Sequence, residues 1–208
     1  MNKFKSLVKG IGNNNETQKY YDDWSINYDK TLDKWNYKAP FKSCLILKHN
    51  LVRKPKQVLD LACGTGLFAS NLIKFFPKVL IDGIDISQKS IEIAKKKKIY
   101  NQLYKFNFNK KFLLKKKYDL ISCIGSMTYS KNPQNLILEA YKLTNINGCF
   151  IFTHRVDLWK KQNLSLILKN LNNNWKKVFI SGPTLYLPKN KDFGDKIKIK
   201  IVFLKKIT

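Results

Sequence analysis

Val58-Leu59-Asp60-Leu61-Ala62-Cys63-Gly64-Thr65-Gly66 is the stretch whose reading decides the fold. Apolar residues bracket a single acid and run into a glycine turn. Leu67–Phe76 then follows with helical spacing and stops at Pro77. The pattern reads as a buried parallel strand, Gln57–Ala62, feeding a turn and a helix. Open α/β sheets bind ligands outside the carboxyl ends of such strands. Glycines there let backbone N–H groups approach a ligand closely. A lone carboxylate in a buried strand is costly without a partner, so Asp60 has a specific task.

The rest of the chain repeats this alternation. Strands are expected at Val79–Ile84, Leu103–Phe108, Tyr118–Ile124 and Cys149–His154, the last after an Asn147-Gly148 turn. Helices fall between them: Ser90–Lys98 capped by Ser87, and Asn132-Pro133 to Leu143 with proline in the first turn. A helix over Leu158–Leu171 precedes two final strands, Trp175–Ser181 and Ile197–Leu204, with no helix between them. The expected fold is therefore α/β, a Rossmann-like, seven-stranded, mostly parallel sheet with helices on both faces and a C-terminal antiparallel hairpin. Ahead of the sheet lie a loose basic lead over residues 1–15 and two helices, residues 16–36 and Phe41–Leu51. Tyr21, Trp24, Tyr28 and Trp35 share one face of the first of these.

Composition narrows the classes. The formal charge is +26, yet Arg53 and Arg155 are the only arginines, and Lys, Asn and Ile are all abundant. That is the signature of an AT-rich coding bias, whereas phosphate and base readers favour arginine's planar fork. The four cysteines form no CxxC pair and each lies in an apolar run. They read as reduced, buried thiols of a cytoplasmic protein, with no disulfide frame and no metal site. No segment resembles a secretory leader or a membrane span.

The glycine turn, with Asp85 ending the next strand 19 residues past Gly66, resembles motif I and the following acidic motif of class I S-adenosylmethionine (SAM) methyltransferases. The segment Tyr20-Tyr21-Asp22-Asp23-Trp24-Ser25-Ile26-Asn27-Tyr28-Asp29 looks like the cofactor-covering helix of many small members. Together with Tyr37-Lys38-Ala39-Pro40 and VLDLACGTGL, it is similar to the Williams–Beuren region methyltransferase-like proteins over residues 20 to about 155. The resemblance implies SAM as cofactor, with residues 1–52 a helical extension and cofactor lid and residues 53–208 the SAM-binding domain.

It also implies roles. Asp60 orients the amino end of SAM through the turn, and Ala62, Gly64 and Gly66 let the backbone pass the methionyl part and ribose. Asp85 accepts hydrogen bonds from the ribose hydroxyls and Ile86 covers adenine. Asn107 stands where the family usually has an acid and offers a neutral acceptor, with Phe108 as a stacking wall or a backbone N–H donor. Cys123-Ile124-Gly125-Ser126-Met127 runs beside the sulfonium, with Ile124 and Gly125 as its contacts and Gly125 allowing close backbone approach. Tyr21, Trp24 and Tyr28 face the cofactor from the acidic, aromatic N-terminal helix, which holds five of the fourteen acids between Glu16 and Asp33. His154, after the fifth strand, is the candidate general base. The expected partner is a small-molecule acceptor. An RNA or ribonucleoprotein methyltransferase using Lys95–Lys98 and Lys110–Lys117 as a phosphate-binding rim is the alternative, and a SAM-binding protein without catalysis is a third reading. No Asn-Pro-Pro-Tyr-type motif follows the fourth strand, which argues against amino-methylating nucleic-acid enzymes.

Overall fold

The computed structural model describes residues 14–171 and 175–207; most of the basic lead lies outside them. The chain opens with α1 (Asn14–Trp24), a 3-10 turn (Ser25–Asn27), α2 (Tyr28–Lys34) and α3 (Ala39–Asn50). The alternating part is β1 (Gln57–Leu61), α4 (Leu67–Phe75), β2 (Leu80–Asp85), α5 (Gln88–Lys96), β3 (Gln102–Lys105) and β4 (Tyr118–Cys123). A 3-10 turn (Met127–Tyr129), α6 (Pro133–Leu143), β5 (Thr144–Arg155), α7 (Val156–Trp159) and α8 (Leu164–Lys169) follow. The chain ends with β6 (Trp175–Ile180), β7 (Thr184–Leu185) and β8 (Lys198–Lys206).

One sheet contains all eight strands, in the order β3-β2-β1-β4-β5-β8-β6, with β7 paired to β8. Strands β1 to β5 run parallel, and β8 is antiparallel to both β5 and β6. The strand order reverses between β1 and β4, and the crevice at their carboxyl ends is where such sheets take ligands. Period-two alternation sorts the core into two layers. Leu59, Ile121 and Phe150 pack toward α6 and α8, while Val58, Leu120 and Ile151 pack toward α3 and α4. A third cluster joins the N-terminal helices to the loop before β8, through Trp24, Leu32, Leu187 and Phe193.

The structure departs from the sequence reading in four places. The first helix is broken at Trp24, where Ser25 Oγ donates to the Asp22 carbonyl at 2.9 Å and draws the backbone into a 3-10 turn. The helix expected over Leu158–Leu171 is two short pieces, parted by Asn163 in the left-handed region (φ 52°). Strand β5 begins at Thr144, so Asn147-Gly148 lies inside it: Asn147 takes φ 65° and the pairing with β4 shifts register there. Finally, β8 is the inner strand of the terminal hairpin and its loop adds β7, giving eight strands.

Candidate functional site

The glycine turn is built for close approach. Ala62, Gly64 and Gly66 all adopt positive φ, at 53°, 53° and 91°. A Cβ on Gly64 would meet nothing within 4 Å, because its bare face opens into a cavity of about 330 Å³. Gly66 faces elsewhere: a Cβ there would come within 3.0 Å of the Tyr100 ring. It starts α4 and lets the sheet and helix pack on Tyr100.

Asp85 ties the turn to the next loop. Its Oδ2 accepts the Gly64 N–H and its Oδ1 accepts the Ser87 N–H, both at 2.8 Å. Burial pushes its carboxyl up to about 6, which the two backbone bonds partly offset, so it is ionised at neutral pH. Two charge-assisted bonds leave lone pairs on both oxygens toward the cavity, which Asp85 lines beside Ile86 and Ser90. Asp60 does not line the cavity. It is 1% exposed, with its oxygens taken by Ser122 Oγ at 2.7 Å and Tyr100 Oη at 2.8 Å. Desolvation pushes it up to about 7. Lying on the Val58 face of β1, it braces the turn from beneath.

A wall of tyrosines covers the cavity. Tyr21 and Tyr28 reach in from α1 and α2, and Tyr129 from the turn after β4. Tyr21 Oη donates to Tyr129 Oη at 2.9 Å, and their rings meet edge to face. Burial raises all three phenols above their ordinary range, so they remain neutral. Trp24 is behind this wall, its ring 4.5 Å from that of Tyr28, and packs in the third core cluster. Two acids hold the N-terminal helices down. Asp22 accepts from Ser87 Oγ at 2.6 Å and the Lys89 N–H at 3.2 Å, at the start of α5. Asp29 accepts from Thr65 Oγ1 in the glycine turn and pairs with Lys97 at 2.6 Å.

The other sequence candidates divide. Asn107 and Phe108 line the cavity, but Asn107 Oδ1 is committed to the Asn109 N–H at 2.9 Å. Ile124 and Gly125 do not line it; Gly125 N–H donates to Thr153 Oγ1 at 2.6 Å and the residue is backed by Tyr37. Ser126, one residue on, occupies the wall. His154 also falls short of the cavity. It is 1% exposed, with Nδ1 against the Arg155 carbonyl at 2.9 Å and Nε2 against Gln162 Oε1 at 2.6 Å. Desolvation lowers its pKa, and both ring nitrogens are engaged inside the fold, away from the cavity lining.

Ser126 lies in the segment expected beside the sulfonium, whereas sequence reading missed Thr17, Phe106, Tyr129, Lys131 and Gln162, which complete the lining with Ser90, Asn109 and Ser130. Thr17 was readable, one turn before Tyr21 on the same face. Gln162 had no signal, since a broken helix delivers it. None of Lys95–Lys98 or Lys110–Lys117 lines the cavity. Lys97 pairs with Asp29, and Lys116 with Asp82 at 2.6 Å. Among the described residues, no three His, Cys, Asp or Glu side chains gather to hold a metal ion. Nor is any helix long and apolar enough to cross a membrane.

A family described as a methyltransferase domain matches residues 53–195. Among curated relatives, malonyl-(acyl-carrier protein) O-methyltransferase of Legionella pneumophila is 30% identical over 102 residues, 48% of this chain and 36% of the relative. Methyltransferase-like protein 27 of Homo sapiens is 29% identical over 143 residues, 66% of this chain and 57% of the relative. The chain thus spans about half or less of the length of the first curated relatives it matches. Among solved structures, the plantazolicin methyltransferase BpumL in complex with SAH superposes with a TM-score of 0.63 at 15% identity, over 99% of this chain and 93% of that one. The 4+2 cyclase SpnF superposes with a TM-score of 0.64 at 12% identity, over 81% and 82%. At these identities the likeness carries the fold alone.

Proposed function

The chain belongs to the methyltransferase domain family, and on that premise we propose that it transfers a methyl group from SAM to a small-molecule acceptor. The observation that carries the reading is the pairing of Gly64 and Asp85 at one cavity wall: a turn without a side chain, hydrogen-bonded to an ionised carboxylate with free lone pairs. These residues fit the group. Asp85 takes the ribose hydroxyls, the Ala62–Gly64 backbone runs along the methionyl part, and Ile86 and Phe108 flank the base. Tyr21, Tyr28 and Tyr129 present ring faces and neutral hydroxyls, which suit a sulfonium. SAM supplies a methyl group on a leaving group that is already activated. The protein's task is then to orient the acceptor in line, worth up to ~7–11 kcal/mol in favourable cases, and to exclude water. The helices of residues 1–52 act as the lid over the domain of residues 53–208, with Asp22 and Asp29 holding it closed.

The acceptor is a small molecule or a small group on a carrier. Several relatives are malonyl-(acyl-carrier protein) O-methyltransferases, which makes a carboxylate-bearing acyl group a first candidate. The RNA reading gains no support from the lining, in which none of Lys95–Lys98 or Lys110–Lys117 takes part. The test is incubation with methyl-labelled SAM and a panel of acyl thioesters, free carboxylic acids, amines and a structured RNA, following S-adenosylhomocysteine release. Release with a small acceptor supports the proposal; release with RNA alone overturns its acceptor class. Binding of SAM with no release across the panel favours a non-catalytic SAM-binding protein.

A further inference from the structure

Beside the cavity, between the start of α6 and α8, lies a groove of about 340 Å³. Lys131 and Gln162 line both, so the two spaces adjoin. Gln162 is the sill between them and it is held fast. Its Nε2 donates to the carbonyls of Thr128 at 3.2 Å and Ser130 at 3.4 Å, while its Oε1 lies 2.6 Å from His154 Nε2. Beyond the sill the groove is polar and cationic. Lys131 and Lys161 stand in it with the side-chain amides of Asn132 and Asn163 and an apolar strip at Leu166, and no acid lines it. Among the described residues neither lysine forms a salt bridge. Two ammonium groups without an ion-pair partner among the described residues, next to side-chain amides, favour a phosphate or carboxylate.

We propose that this groove seats the anionic end of an elongated acceptor whose methyl-accepting end lies in the cavity, with Gln162 as the specificity-determining sill across which the acceptor passes. The proposal rests on the cavity being the cofactor and acceptor site. A compact acceptor fills the cavity alone and gains nothing from the lysines. One with a chain crossing Gln162 gains charge-assisted hydrogen bonds at its far end. His154, by fixing Gln162, sets the height of the sill without touching the acceptor.

The test is calorimetric titration of protein saturated with S-adenosylhomocysteine, using octyl phosphate and inorganic phosphate as probes. The paired variant Lys131→Ala with Lys161→Ala is compared with Lys95→Ala with Lys96→Ala, which removes the same charge from the exposed end of α5, outside both spaces. Octyl phosphate is expected to bind the unaltered protein more tightly than phosphate does. The groove pair should weaken it at least about tenfold, and the α5 pair should leave it unchanged. Equal losses in both pairs would mean that the general positive field attracts the anion, which overturns the groove. Octyl phosphate no tighter than phosphate would overturn the elongated acceptor. Failure of S-adenosylhomocysteine itself to bind the folded, unaltered protein would instead overturn the cofactor reading, and the groove proposal with it.

Discussion

Gly64 and Asp60 show what a residue's surroundings add to its identity. Both stand in the same nine-residue stretch, and both read as ligand contacts. The structure separates them: Gly64 opens on the cavity, whereas Asp60 points to the opposite side of β1 and is fully engaged by Ser122 and Tyr100. Strand period alone puts Asp60 on the Val58 face, but only the fold reveals that Tyr100 closes that face. Gly64→Val is therefore expected to abolish SAM binding, since it adds a branched side chain where φ is 53° and fills the cavity wall. A folded variant that binds SAM normally by calorimetry would show that the turn does not hold the cofactor. Asp60 has a pH signature. Its folded pKa, about 7, lies above its ordinary 3.8. The stability linked to its protonated form is full below about pH 4 and is lost as pH rises through 7. Asp60→Asn does not titrate, so its stability relative to the parent should improve between pH 5 and 8 by on the order of 1–3 kcal/mol. Urea unfolding at the two pH values checks this; parallel behaviour of the two proteins would mean that Asp60 is not held as a buried, proton-binding carboxyl.

Among the elements, the N-terminal helices were legible as an aromatic face but not as a fastened one. Spacing placed Tyr21, Trp24 and Tyr28 together; it did not reveal that the helix breaks at Ser25, or that Trp24 is buried in the core while the two tyrosines line the cavity. Asp22 and Asp29 looked like general acidity around a cation. They are instead the groups that join α1 and α2 to the loops after β2 and β1. A cofactor beneath these helices adds contacts to the closed arrangement and none to an open one, so it shifts the balance toward closure. Amide hydrogen exchange over residues 16–34 should slow on adding SAM, while β1 and β4, buried in the sheet centre, should change little. Equal protection with and without SAM would make the helices a fixed part of the scaffold and remove the lid. The same reasoning explains His154, where the strand end was read correctly, yet the two short helices that follow cover it with Gln162.

For the whole molecule, the parallel part of the sheet was readable because β1, β2, β4 and β5 carry short apolar runs with glycine, proline or a capping residue nearby, whereas β3 is mostly exposed and shorter than its expected span. The inner place of β8 was not, since strand order depends on long-range pairing that local pattern does not encode. The charge of +26 is spread over the chain, and among the described residues Lys131 is the one basic side chain lining the cavity. It therefore makes the surface attractive to anions in general while leaving the cavity wall at Gly64 and Asp85 to neutral and acidic groups. The central claim is that this wall binds SAM through Asp85. Calorimetric titration of SAM into the unaltered protein and into Asp85→Ala tests it most directly. The expected result is one site per chain, with affinity falling about ten- to a hundredfold in the variant, the loss of one or two charge-assisted hydrogen bonds. Equal affinity in the two proteins, both folded, would contradict it.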